Sequence, residues 1–146
     1  MRHLSFSLIC FLIIIPAVLK AQSDRGGNHC AVQKSPYKVS MDSGKVVYLN
    51  KCLSCHQANG LGVEGFNPSL NGKFVTGDKT KLIEIFINGQ NTQEQIDGKP
   101  YQNTMHGNAE IKDQEIAFVL TFIRNSFGNK ASWVKVSEVK SARKKL

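Results

Sequence analysis

The stretch Asn50-Lys51-Cys52-Leu53-Ser54-Cys55-His56-Gln57 decides how the rest of the chain is read. Two cysteines three apart on one helical turn face the same side, so each can form a thioether with a vinyl group of a single haem. His56 follows directly and offers its imidazole to the iron beneath the ring. This is the attachment spacing of c-type haem, and average amino-acid usage produces it by accident in on the order of one chain in a thousand of this length. Three other chemistries use close cysteine pairs: a disulfide, a thioredoxin-like redox pair and half of a zinc site. Zinc needs two further ligands at matched spacing, and no second close Cys/His pair stands near this one. A thioredoxin-like pair belongs among alternating strands and helices, which are missing here.

Outward from the motif, the hydrophobic pattern predicts an all-α fold of three main helices. Ser40 or Asp42 is placed to cap a helix from about Ser43 to Leu53, with Val46, Val47 and Tyr48 as its apolar contacts. Leu82, Ile83, Ile85, Phe86 and Ile87 make Lys79 to Asn88 a short apolar helix ended by Gly89, suited to wall a haem. A third helix starts at Asp113, carries Ile116, Val119, Leu120 and Ile123 at helical spacing, and stops at Gly128. Long loops join them, Asn59 to Gly77 and Gln90 to Glu110, and loops of that length are uncommon unless they line a site.

From about Asp42 to Gly128 the chain resembles a class I, monohaem cytochrome c. Gly44 and Tyr48 precede Cys52 at intervals of four, Asn67-Pro68-Ser69-Leu70 looks like the proline and leucine segment below the haem, and Ile116 to Phe127 looks like the closing helix, including Phe122 and the Arg124-Asn125-Ser126-Phe127-Gly128-Asn129 ending. The resemblance implies a small cytochrome c fold around one covalently bound haem c. It also implies that the Pro68 carbonyl holds the His56 imidazole and that Met105 is the sixth iron ligand opposite His56. Where the family has proline soon after that methionine, this chain has His106 and Gly107, so His106 stands as the alternative ligand. Gly72, Lys73 and Phe74, or the Thr104 to Gly107 loop, are the candidates to border an exposed haem edge. Tyr101 is placed to shield the haem or to anchor its loop.

The remaining segments divide simply. Arg2, the apolar stretch Leu8 to Leu19 and Ala21 read as a secretory signal peptide over residues 1–21, with a periplasmic or otherwise exported product; if uncleaved, the same stretch tethers the protein to a membrane. Residues 22–41 form a leader, flexible by its Gly26-Gly27 and Pro36, and 42–128 the haem domain. Without Cys10, three cysteines remain, and Cys30 is left as a free thiol or a handle for an intermolecular disulfide.

The formal charge of +8 invites a nucleic-acid reading, so its location matters. Residues 22–128 hold 11 basic and 10 acidic side chains, whereas Lys130, Lys135, Lys140, Arg143, Lys144 and Lys145 face only Glu138 in the tail 129–146. The haem domain is near neutral, which excludes nucleic acid as its partner. The tail, with Trp133 and a short helix from Ser137, reads as a solvated extension or as a contact that steers toward an acidic partner or an anionic membrane surface.

With a His/Met iron there is no vacant position for a substrate, so one-electron transfer fits and catalysis is not required. Partners would be an exported dehydrogenase, a quinol-oxidising complex or a terminal oxidase or reductase. The alternatives are an obligate cytochrome subunit of a larger dehydrogenase or reductase, and a haem enzyme or gas sensor with an open iron site. A domain of under ninety residues with such loops is at the small end for folding alone. The apoprotein is therefore expected to be poorly ordered, and a cooperative unfolding transition recorded without haem would contradict this.

Overall fold

Ser35-Pro36 starts the first helix. The Ser35 hydroxyl accepts the Lys38 N–H at 3.2 Å and Pro36 occupies the first turn, where its missing donor costs nothing, so α1 spans Pro36–Lys51. The computed structural model describes residues 34–91 and 95–146. The signal peptide, most of the leader and Cys30 lie outside the described residues. The start of α1 falls several residues before the Ser43 expected from sequence. Ser40 is buried inside the helix, where its hydroxyl donates to the Pro36 carbonyl, and Asp42 is engaged by Lys34 and Lys38 instead of capping. Residues 36–41, read as leader, therefore belong to the folded unit.

The buried face of α1 is Ser40, Gly44 and Tyr48, and it crosses the helix α5, Asp113–Arg124. A Cβ on Gly44 would overlap the Phe118 carbonyl and the Phe122 side chain, so only glycine permits this approach. Tyr48 then packs against Phe122 and Phe127, with ring centroids 5.5 and 5.2 Å away. Beyond Lys51 the chain bends at Cys52 into one further turn, α2, Leu53–His56.

A second short turn, α3, covers Lys73–Thr76, and α4 covers Lys79–Asn88, capped by the Asp78 carboxylate on the Thr80 N–H at 2.8 Å. Its Leu82, Ile83, Phe86 and Ile87 are buried, as the sequence pattern anticipates. Gly89 ends it with φ of +83° and enters a two-residue ladder, β1 Gly89–Gln90 paired antiparallel with β2 Met105–His106. The sequence shows no sign of this ladder, because two residues carry no alternation to read. Helix α5 buries Ile116, Val119, Leu120 and Ile123 as expected but ends at Arg124, four residues before Gly128; Phe127 and Gly128, both with positive φ, turn the chain away.

The C-terminal segment corrects the reading of residues 129–146 as a solvated extension. Helix α6, Val136–Arg143, packs on α4 and α5 and buries Val139 and Ala142, with Val134 buried just before it. The Thr121 hydroxyl, itself buried, accepts the Val134 N–H at 2.9 Å. Arg143 pairs with Asp113 at 2.7 Å and donates to the Ala109 and Ile111 carbonyls, while Lys79 pairs with Glu138 at 2.5 Å. Among the described residues the three main helices expected from sequence are thus α1, α4 and α5, and the short helix expected from Ser137 is α6, which joins them around the core. The charge of this segment misled because two of its ionic groups, Glu138 and Arg143, face inward neighbours across sequence distances that no local pattern reveals.

Buried aliphatic side chains contribute about 1.5–3 kcal/mol each, so Val134 and Val139 alone tie this segment down by roughly 3–6 kcal/mol. Truncation after Asn129 is expected to lower the denaturant midpoint by a corresponding amount. An unchanged midpoint would mean the segment is dispensable to the fold.

Candidate functional site

Cys52 caps the single turn α2 and Cys55 lies within it; Cys52 is buried and Cys55 exposed, and neither is in a disulfide. Burial, with the neighbouring Cys55 adding to it, pushes the Cys52 thiol up to about 11, so the free side chain is a thiol and not a thiolate nucleophile. Among the described residues no group of three His, Cys, Asp or Glu side chains comes together to hold an ion.

His56 is held from two directions. Its Nδ1 lies 3.0 Å from the Pro68 carbonyl, and a carbonyl only accepts, so Nδ1 carries the proton. Burial lowers the imidazole below its ordinary 6.5, the Pro68 hydrogen bond opposing, and the ring is neutral at pH 7. A neutral ring protonated on Nδ1 keeps its Nε2 lone pair free to bind a metal. The turn that carries His56 is fixed by Tyr48, whose hydroxyl donates to the Gln57 carbonyl at 2.5 Å. Burial pushes that phenol up to about 12, with Cys52 contributing, so it remains a donor.

Two adjoining lobes open beside this histidine, and Cys52, His56, Pro68 and Met105 stand in the walls of both. The inner lobe, about 550 Å³, is lined by Leu70, Phe74, Leu82, Phe86, Ile96 and Leu120, among other residues. The outer lobe, about 770 Å³, is lined by Cys55, Asn67, Asn103, Thr104 and His106, among others. Of the candidate borders, the Thr104 to Gly107 loop supplies the outer lobe, Phe74 belongs to the inner wall, and Gly72 and Lys73 line neither. Met105 is half-buried and reaches both lobes because β2 pairs it with Gln90, whereas His106, next along the ladder, is exposed and reaches the outer lobe alone. Tyr101 lines neither lobe; it stands in an adjoining groove with Leu61 and Glu64 that shares Asn67 with the outer lobe.

Sequence reasoning missed Ile96 and Asp97. Ile96 is buried in the inner wall by a tight turn to Lys99, and the Asp97 carboxylate accepts the Phe74 N–H at 3.1 Å, joining the two long loops. The same loops are laced by Gln102 to Gly65, Asn103 to Phe66 and the Asn103 amide to the Asn67 side chain. Isolated loop residues of this kind carry no periodicity from which to find them.

A paired-cysteine turn, a neutral oriented imidazole and a cleft walled on its inner side by apolar side chains fit a large planar prosthetic group. Over residues 41–127 the chain matches the cytochrome c family. It belongs to that family. As a class I cytochrome c it binds one haem c covalently, and Cys52 and Cys55 are the cysteines of its Cys-x-x-Cys-His motif. This cytochrome is 35% identical over 84 residues to cytochrome c-552 of Thermus thermophilus, covering 54% of this chain and 64% of that one. It is 34% identical over 107 residues to the gluconate 2-dehydrogenase cytochrome c subunit of Pantoea cypripedii, 70% of this chain but 24% of the subunit. It is 32% identical over 106 residues to the alcohol dehydrogenase (quinone) cytochrome c subunit of Gluconobacter oxydans, 70% of this chain and 22% of that subunit. The match thus spans less than two thirds of each relative.

The cytochrome's stability should depend on pH through Glu138. Burial raises its carboxyl, but the Lys135 N–H and the Lys79 ammonium outweigh this and hold it below the unfolded 4.5. The stability it contributes is complete above about pH 4.5 and is lost as pH falls toward the folded value. Denaturant midpoints of the holoprotein measured from pH 7 to pH 3 are expected to decline below about 4.5 more steeply in wild type than in Glu138→Gln; equal declines would rule out a Glu138 contribution.

Proposed function

We propose that this cytochrome is an exported one-electron carrier whose haem iron is ligated by His56 and Met105, with Pro68 orienting the histidine. One observation carries the ligand assignment: the half-buried Met105 and the buried, neutral His56 stand in the walls of the same two lobes, while His106 is exposed and reaches one. Haem c, when bound, supplies an iron that cycles between two oxidation states. Cys52 and Cys55 attach it, and the Nε2 lone pair of His56 faces it with its tautomer set by Pro68. The aliphatic and aromatic side chains of the inner lobe exclude water, which keeps reorganisation small. Cys55, Thr104 and His106, which line the outer lobe, are exposed, and a redox partner can approach there.

A second reading, a cytochrome subunit or domain working inside a dehydrogenase, is favoured by the likeness to the gluconate and alcohol dehydrogenase subunits. The two readings share the site and differ in partner. Export rests on the N-terminal apolar segment and its Ala21 end. Among the described residues no helix is long and apolar enough to cross a membrane.

Mass measurement of the purified protein is expected to show one covalent haem and a chain beginning near Gln22. The reduced wild type should resist carbon monoxide, Met105→Ala should bind it readily by opening a position on the iron, and His106→Ala should behave as wild type. Ready carbon monoxide binding by the wild type at neutral pH would defeat the His56/Met105 assignment and favour an open-site enzyme or sensor.

A further inference from the structure

Arg124 is the only lysine, arginine, aspartate or glutamate buried among the described residues, at 2% exposure. Its five N–H donors all meet neutral oxygens. Nε donates to the Ser132 carbonyl, Nη1 to the Val75 and Gly77 carbonyls at 2.6 and 3.1 Å, and Nη2 to the Thr76 carbonyl and the Ser132 hydroxyl. Hydrogen bonding is satisfied, yet among the described residues no carboxylate is in contact with the charge. Glu138 acts on it only through the field, and that carboxylate is itself held by Lys79 and the Lys135 N–H. A burial of this kind is costly unless it serves something, because carbonyl dipoles replace only part of the lost hydration.

Its position indicates what is served. Val75, which accepts from Nη1, and Ile123, its neighbour in the chain, both line the inner lobe of the cleft. The guanidinium therefore sits one residue layer behind the wall, in a medium where charges are weakly screened. The carbonyls it gathers close the end of α3, the turn that supplies Phe74 and Val75 to that wall.

We propose that Arg124 sets the electron affinity of the site: its buried positive charge disfavours the oxidised, more positive state of the bound haem and so raises the reduction potential. This rests on the reading that Cys52, Cys55 and His56 hold the haem in this cleft. Arg124 is a positioning residue for the α3 wall as well, and the two roles separate by substitution. Arg124→Lys keeps the charge and loses most of the hydrogen bonds; Arg124→Gln loses both.

Spectroelectrochemical titration of the full-length holoprotein tests the charge. Arg124→Gln is expected to weaken electron affinity on the order of tenfold, about 59 mV for a one-electron couple. Arg124→Lys should stay within about threefold of wild type, even though its denaturant midpoint falls. Glu138→Gln, which removes the opposing field, should shift the potential upward. A wild-type potential in Arg124→Gln, or equal shifts in the Gln and Lys variants, would overturn the proposal. Should Arg124→Gln not accumulate with haem, Glu138→Gln decides, and an unchanged or lowered potential there overturns it. A wild type with no covalent haem by mass would instead overturn the underlying reading, and this proposal with it.

Discussion

The backbones of α1 and α5 meet at Gly44, and the haem motif takes its place from that contact. With no side chain at this point, the Phe118 carbonyl and the Phe122 side chain come against the α1 backbone. One turn later Tyr48 is buried between Phe122 and Phe127, and its hydroxyl reaches the Gln57 carbonyl at the exit from α2. The position of His56 is therefore set from behind, by helix packing, and from the front, by Pro68. A wider crossing would move the turn that carries both cysteines relative to the cleft wall. That is why a residue with no chemistry of its own governs a site eight to twelve positions away in sequence.

The site is furnished with polar groups that are neutral or fully partnered, and this follows from its dryness. His56 is uncharged, Cys52 remains a thiol where it is free, and Tyr48 remains a phenol, each for the same reason, that burial disfavours the charged form. No buried side-chain nitrogen or oxygen among the described residues lacks a partner. Arg124 is the exception in charge and not in hydrogen bonding. Against a background kept neutral, one fixed charge has an influence it would not have at the surface, where a Debye length of about 8–10 Å would screen it.

Much of this was legible in the sequence because the decisive groups are local. The two cysteines and the histidine sit within one turn, and the apolar stripes of α4 and α5 repeat at helical spacing over ten and twelve residues. What escaped reading is non-local. Ser35-Pro36 outcompetes Ser40 and Asp42 as a helix start because Ser40 finds a carbonyl inside the helix and Asp42 finds two lysines. The β1–β2 ladder that delivers Met105 pairs residues fifteen or more apart, and the Asp97 to Phe74 bond joins two loops. Neither leaves a periodic trace.

The C-terminal segment shows how charge counting fails when charges are assigned by sequence alone. Its lysines suggest a surface feature, yet Val134, Val139 and Ala142 are buried, and Arg143 is turned onto Asp113 and two carbonyls. Glu138 is turned the same way, onto Lys79. Lys130, Lys135, Lys140, Lys144 and Lys145 are left on the exposed side, as an amphipathic helix requires. The segment also brings Ser132 to Arg124 and so completes the shell around that charge. The stretch outside the family match, 128–146, is thus tied through Ser132 and Arg124 to the wall of the cleft, although none of its own side chains lines it.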